Sequence, residues 1–382
     1  MKLTHAIAAL GCVGVCMITQ FSPVDAIAAQ SPEIHQVWSV DVDQRPPNAP
    51  IALSTPAVVN TADDTLLVLA ARDKFVHVYN LEGDDVRRIA IEAPSDSGAL
   101  LLSNGLVVVG DIDGRIYGID PIAGVVAWQV QLTASFTNTP VALGDDFLVQ
   151  TNDNFIYYFT AAGEKKWSYA GQNSVLSLYL SSTPLVAGNR IFAVQSNGDC
   201  VALKADSGDL LWKRQLLMSN NSSVLTEMKA PLATPLLLDT LNMNGESVSD
   251  VLLVPFYQGE LHALSASDGS ELFSVPTSIK SSPLLWGGMM YLADSEGYIH
   301  AYHRDKGLRA WSKKISSTEL LGPVLWQERL WVADKQGNVL VLNADGEVQA
   351  QTTVVGRIAR LPQVTTEGVV IRTERGVMVK VQ

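Results

Sequence analysis

The chain reads as an all-β protein: an eight-bladed β-propeller of four-stranded blades, closed by pairing an N-terminal strand with three C-terminal ones. Three observations predict this. A pattern recurs at a spacing of roughly forty to fifty residues, the range of a propeller blade. A glycine turn precedes the last strand of each repeat, and each end of the chain supplies an incomplete repeat. The pattern shows when segments are set in register: "SDSGALLLSNGLVVVGDIDGRIYGIDPIAGVVAW", "TNTPVALGDDFLVQTNDNFIYYFTAAGEKKW", "SSTPLVAGNRIFAVQSNGDCVALKADSGDLLW" and "KSSPLLWGGMMYLADSEGYIHAYHRDKGLRAW". Each begins at a proline or small residue. Three hydrophobic strands follow, separated by turns, and a fourth strand carries tryptophan.

Taken in order, the starts fall at Pro56, Ser97-Gly98, Pro140, Pro184, Pro235, Pro283, Pro323 and Pro362. Gly83, Gly124, Gly163, Gly208, Gly269, Gly307 and Gly346 precede the last strands, where a tight hairpin calls for positive φ. Four residues later stand Arg87, Trp128, Trp167, Trp212, Phe273, Trp311 and Ala350; the large rings of the tryptophans and of Phe273 suit the space between neighbouring blades. "LPQVTTEGVVIRTERGVMVKVQ" (residues 361–382) supplies three strands without a fourth, and "QVWSVDV" (residues 36–42) is a lone strand with Trp38 at the tryptophan position. Pairing them completes an eighth blade and removes the sheet edges that invite aggregation.

With 382 residues the chain has room for two average domains or one large all-β domain, and 47% hydrophobic content supplies a core. A net charge of −12 with no lysine or arginine run disfavours nucleic-acid binding, which needs a basic stripe, and favours solubility over adhesion to anionic membranes. Lys2, the apolar run "AIAALGCVGVCMI" (residues 6–18) and "DAIAAQ" with Ala26 and Ala28 form a secretory signal pattern, too short for a permanent membrane span. The expected organisation is a signal peptide over residues 1–28, a linker over 29–33 and the propeller over 34–382. "ALGC" loosely resembles a lipobox, which makes Cys12 the alternative processing site, by acylation. Beyond the signal region only Cys200 remains, so no intramolecular disulfide forms there.

Candidate chemistry dissolves into the repeat. His77, His262 and His300 occupy one slot on separate blades, where other blades carry Tyr117, Tyr157 and Leu340, so they do not converge on one ion. His303 sits on the opposite face of its strand from His300. Cys200 is expected as a structural thiol. "DIDG" (residues 111–114) looks like half a calcium loop but lacks the remainder and its terminal Glu, and is expected to be a hairpin turn. No G-x-S-x-G, H-E-x-x-H, P-loop or dinucleotide fingerprint occurs. No catalytic, cofactor or metal residue is assigned.

The repeat resembles the "TP…G…G.lyALda.tG...W" pattern of PQQ-like propellers across essentially all of residues 37–382. The quinoprotein dehydrogenases of that group often carry adjacent cysteines against their cofactor, and this chain has no Cys-Cys. "LADSEGYIHAY" (292–302), "LLWKRQL" (210–216) and "LSLYLSSTP" (176–184) are similar to stretches of the BamB family, the propeller subunits of the outer-membrane β-barrel assembly machinery. The resemblance implies a non-enzymatic scaffold at the periplasmic face of the outer membrane. It would act as a monomer within a complex, binding the periplasmic domains of the BamA-like barrel-forming subunit and, with it, unfolded outer-membrane proteins. It carries the family's Leu-Ser-Leu-Arg partner contact onto Leu176, Ser177 and Leu178, and departs from it at Tyr179. An acidic pair that helps this contact is replaced by Ala230 and Leu232 in "KAPLATP" (229–235), which implies a more apolar interface.

Loop lengths point to the same face. The loop into each first strand and the turn between the second and third strands share one side of a blade. "AGQNSVLSLYLSS" (170–182) and "RQLLMSNNSSVLTEMKAPLA" (214–233) are the longest such loops and belong to adjacent blades. Long loops on a rigid repeat scaffold are where binding concentrates. The insertion "LNMNGESVSD" (241–250) is expected to project from the other face. The rival readings are a PQQ- or metal-dependent enzyme and a sensor that takes a ligand in the central channel.

Overall fold

Short runs of β-branched and aromatic residues cut by glycine turns favour strands, and strands are the regular elements that form. The computed structural model describes residues 33–43, 53–62, 64–172, 182–217, 229–243, 246–358 and 360–382, and among these no helix occurs. Residues 1–32, with Cys12 and Ala28, lie outside the described residues, as do Leu176, Ser177, Leu178 and Tyr179. Eight four-stranded antiparallel sheets follow one another along the chain. We number them blades 1 to 8, spanning residues 57–90, 100–131, 141–170, 185–215, 236–275, 284–314, 320–353 and 363–381. Blade 8 takes its outer strand, Gln36–Asp41, from the other end of the chain; it pairs antiparallel with Val377–Val381. His35 and Gln382 extend the seam with two reciprocal backbone hydrogen bonds of 3.1 Å.

There is no single core. Eight separate apolar clusters form, one between each pair of neighbouring blades. Strand alternation produces this directly: in Thr65–Ala70, Leu66, Val68 and Ala70 face blade 2, while Leu67 and Leu69 face blade 8. Middle strands are therefore apolar on both faces and buried, as in Val107–Gly110. Outer strands, where the blades splay apart, alternate between exposed and half-buried, as in Val125–Gln131.

The fixed tryptophan locks one blade to the next. Trp128 of blade 2 lies over Gly163 of blade 3, where φ is 81° and a methyl group would fall 2.7 Å from the ring. Its Nε1 donates to the Ala161 carbonyl at 3.0 Å. Trp167 repeats the bond on Ala205 at 3.1 Å, Trp212 on Ala266 at 3.0 Å, and Trp38 on Leu81 at 2.7 Å. Arg87 substitutes in blade 1, reaching the Pro121 carbonyl at 2.8 Å. Ala350 holds this position in blade 7, beside blade 8, whose third and outer strands are not joined by a hairpin turn.

Blade 5 solves the same problem differently. Phe273 does not reach the next blade's glycine; Leu241, from the insertion, sits against Gly307 instead. The insertion extends the strands Leu236–Met243 and Glu246–Pro255 into a long hairpin. Arg304 donates to Asp239 at 2.8 Å and Asn242 N–H to the Asp305 carbonyl at 2.7 Å. The insertion lies on the face opposite the inter-blade connectors, as expected, but it is a replacement tryptophan lock and not a projecting arm. Pro323 is a second departure. It stands inside the strand Leu320–Trp326 at a register shift rather than at its start, where a proline costs no ladder hydrogen bond.

Candidate docking face and axial cavity

The residue leaving an outer strand donates its N–H to the glycine carbonyl of its own second hairpin turn. Leu132 does so to Gly114 at 2.8 Å, Leu216 to Gly198 at 2.9 Å and Val354 to Gly337 at 2.9 Å. These bonds place every such connector on the same face as those turns. The described ends of two connectors, residues 171–172 and 182–184 and residues 216–217 and 229–235, belong to this face and flank blade 4. On the first, Gly171 N–H donates to the Asn154 carbonyl at 3.1 Å and Gln172 O accepts Asn154 Nδ2 at 2.8 Å. At its return, the Ser182 carbonyl accepts Asn138 Nδ2 at 2.8 Å and the Ser182 hydroxyl donates to the Val194 carbonyl at 3.1 Å.

The expectation for Ala230 and Leu232 needs correcting. Ala230 is buried in a two-way backbone bridge with Tyr257, and Leu232 lines the axis of the ring. Neither offers an apolar patch on the outer surface of this face.

The repeated histidine slot is a set of local hydrogen-bond pairs. His77 is held between Asp85 (Nδ1, 3.0 Å) and Asp73 (Nε2, 2.9 Å), His262 by Glu271 (2.8 Å), and His300 by Asp294 (2.9 Å). Tyr117 fills the same slot in blade 2 and donates to Asp111 at 2.7 Å. Among the described residues no cluster of three or more His, Cys, Asp or Glu residues is placed to hold a metal ion. Asp111 of "DIDG" accepts the N–H groups of Asp113 and Arg115 at 3.0 and 2.9 Å. Asp294 and Asp334 cap the equivalent turns of blades 6 and 7 in the same way. The motif is an Asx-type turn.

Burial works to lower the His77 pKa, but the two aspartates outweigh it and the net shift is upward. A raised folded-state value means a contribution to stability that is complete below the unfolded value of about 6.5 and fades as pH rises through the folded value. The urea midpoint of the wild type is therefore expected to exceed that of His77→Gln most below about pH 6.5, the gap narrowing as pH rises above it. A gap that is constant with pH would contradict the ion-pair account.

Cys200 is fully buried, and that burial pushes its thiol well above the ordinary range. With Cys12 and Cys16 replaced by Ser, no thiol is expected to react with a disulfide reagent until denaturant unfolds the chain. Rapid labelling of the native protein would show the blade 4 seam to be open.

The axis of the ring opens on the connector face as a cavity of 430 Å³. Its wall includes the residues immediately before five of the blade-starting prolines: Thr55, Thr139, Thr183, Thr234 and Ser282. Arg360, in the connector leading into blade 8, crosses this mouth, donating from Nε to the Leu53 carbonyl at 2.8 Å and from Nη2 to the Thr137 carbonyl at 2.9 Å. Burial lowers its pKa to about 10. Across the cavity, burial acts to raise the Glu319 carboxyl, yet Lys280 at 2.6 Å and Lys335 at 3.7 Å hold it below its ordinary value. Sequence reasoning passed over this group. The recurring hydroxyl before proline was its only signal, and Arg360 lies in a connector that the repeat does not define.

A sequence profile of the family described as outer membrane protein assembly factor BamB matches residues 36–248 and 245–373. The outer membrane protein assembly factor BamB of Yersinia pestis is 24% identical over 57% of this chain and 53% of its own length. Over that match the chain spans about half the length of the curated relative. The crystal structure of BamB from Moraxella catarrhalis superimposes with a TM-score of 0.74 at 21% identity, covering 91% of this chain and 99% of that one. Quinohemoprotein alcohol dehydrogenase from Comamonas testosteroni gives a TM-score of 0.69 at 14% identity, over 94% and 78% of the two chains. At such identities both likenesses speak for the propeller fold alone.

Proposed function

The chain belongs to the outer membrane protein assembly factor BamB family, and from that premise we propose that it is a non-enzymatic scaffold for the assembly of outer-membrane proteins. It works on the periplasmic side of the outer membrane, after export directed by residues 1–28. The observation that carries the reading is the extent of the family match, which runs from the closing strand Gln36–Asp41 into blade 8.

The docking element is the connector before blade 4, with Leu176, Ser177, Leu178 and Tyr179 as contact residues. Its anchors at Asn154 and Asn138 support this role, because they tie both ends of the connector to a rigid face. The partner is the barrel-forming subunit, bound through its periplasmic domains. A ring whose blades are packed face to face offers it a fixed surface, so binding orients the partner at little cost in scaffold ordering.

A tagged pull-down from solubilised envelopes tests this, comparing the wild type with Leu176→Asp/Leu178→Asp. The expected result is recovery of the barrel-forming subunit by the wild type and its loss in the double variant. Equal recovery by both would move the contact elsewhere on the ring. Recovery of no assembly subunit by either would overturn the scaffold reading.

A further inference from the structure

The axial cavity has the makings of a binding site that the scaffold role does not use. Three cations line it, Lys280, Lys335 and Arg360, in a chain whose net charge is −12. Two carboxylates stand against them, and both are engaged. Glu319 is shared by Lys280 at 2.6 Å and Lys335 at 3.7 Å, and Glu374 pairs with Arg357 at 3.3 Å. Arg360 has only carbonyl acceptors at hydrogen-bond distance. Among the described residues no carboxylate is within hydrogen-bond distance of its guanidinium; Asp96, ion-paired to Arg72, acts on it only at longer range.

A guanidinium carries five N–H donors, and a desolvated cation without a counter-charge is costly. Facing it is the hydroxyl ring. Thr55 and Thr139 hydroxyls meet at 3.4 Å across the blade 2 position, where Gly98 leaves room for them. The hydroxyls of Thr183 and Thr234 form no hydrogen bond with another described residue. Fixed cationic donors on one side and hydroxyls on the other match an oxyanion. The volume of 430 Å³ is that of a small-molecule site.

We propose that the axial cavity binds a small multivalent oxyanion, a phosphate- or carboxylate-bearing molecule held by Arg360 and Lys335 and by the hydroxyls of Thr183 and Thr234. The bound anion supplies a directly hydrogen-bonded counter-charge, which Asp96, already engaged by Arg72, gives Arg360 only from a distance. It also ties blade 8 to blades 4 and 5 across the mouth of the ring. The proposal stands whether or not the scaffold reading holds.

The test is calorimetric titration and thermal unfolding of the purified chain with inorganic phosphate and with citrate, each against sodium chloride of equal ionic strength. Saturable binding and a rise in Tm beyond the chloride control are expected. Arg360→Gln should weaken the affinity about tenfold or more, and Thr183→Val/Thr234→Val several-fold with the far-ultraviolet spectrum unchanged. Binding of phosphate alone would assign a phosphorylated ligand, and of citrate alone a carboxylated one. Stabilisation no greater than that by chloride would overturn the proposal, as would equal affinity in the wild type and Arg360→Gln. Should Arg360→Gln fail to fold, the threonine pair decides: unchanged affinity there would overturn it equally.

Discussion

Asp43→Ala is expected to destabilise the protein by about 3–5 kcal/mol, the cost of stranding a buried charge. Asp43 and Arg372 come from opposite ends of the chain and are 1% and 2% exposed, with Arg372 Nη2 3.4 Å from Asp43 Oδ2. Arg372 also donates to the Gly376 carbonyl at 2.8 Å and to Ser54 at 3.1 Å, so it is fixed in place and cannot turn to solvent. The other Asp43 oxygen accepts the Arg72 N–H at 3.0 Å, which brings blade 1 into the same joint. Urea unfolding followed by tryptophan fluorescence gives the number. Asp43→Ala/Arg372→Met should recover most of the loss, since an apolar pair of similar volume leaves no orphaned charge. A single-variant cost under about 1 kcal/mol would mean that the seam is held by its backbone ladder alone.

The second large effect lies at the blade 4–5 joint. Trp212→Ala should cost about 3–5 kcal/mol, the usual range for emptying a buried tryptophan site. The ring is 8% exposed, packs against Phe192 at a centroid distance of 5.9 Å, and donates to the Ala266 carbonyl at 3.0 Å. Truncation leaves a cavity above Gly269 and an unpaired carbonyl beside it. Its neighbour Leu211 is 43% exposed on the same strand and serves as the control. Leu211→Ala should move stability by no more than about 0.5 kcal/mol. Equal costs for the two would show that the lock is ornamental to this joint.

The architecture was legible because each blade must satisfy the same two local demands. A positive-φ turn needs glycine, and the ring that covers it needs to be large and flat. Gly163 with Trp128, and Gly208 with Trp167, state both demands in one register. The closing strand was legible for the same reason: Trp38 announces an outer strand that has no blade of its own before it.

What the sequence did not disclose is convergence between blades. Phe273 was visible as a missing tryptophan, but nothing local tells that Leu241, thirty-odd residues earlier, takes its place. The insertion's polar letters read as an exposed loop until Arg304 and Asp305 were brought beneath it. The axial site is the extreme case. Its hydroxyls are spread from Thr55 to Ser282, and Arg360 joins them only once the ring is closed. The single residues look ordinary; their common radius makes the site.

The seam also orders events in time. Gln36–Asp41 precedes every blade as the chain is made, yet its partner, Val377–Val381, follows all the other strands, and the Asp43–Arg372 joint bridges a separation of 329 positions. Blades 1 to 7 close on local hairpins, which form early and independently of the ends. The eighth waits for the final strand. A chain broken off before Val377 leaves its first strand unmatched and uncovers the apolar faces of blades 1 and 7 that pack against blade 8. Closure of the ring thus depends on a strand far along the chain: until Val377–Val381 is in place, Gln36–Asp41 has no strand to pair with.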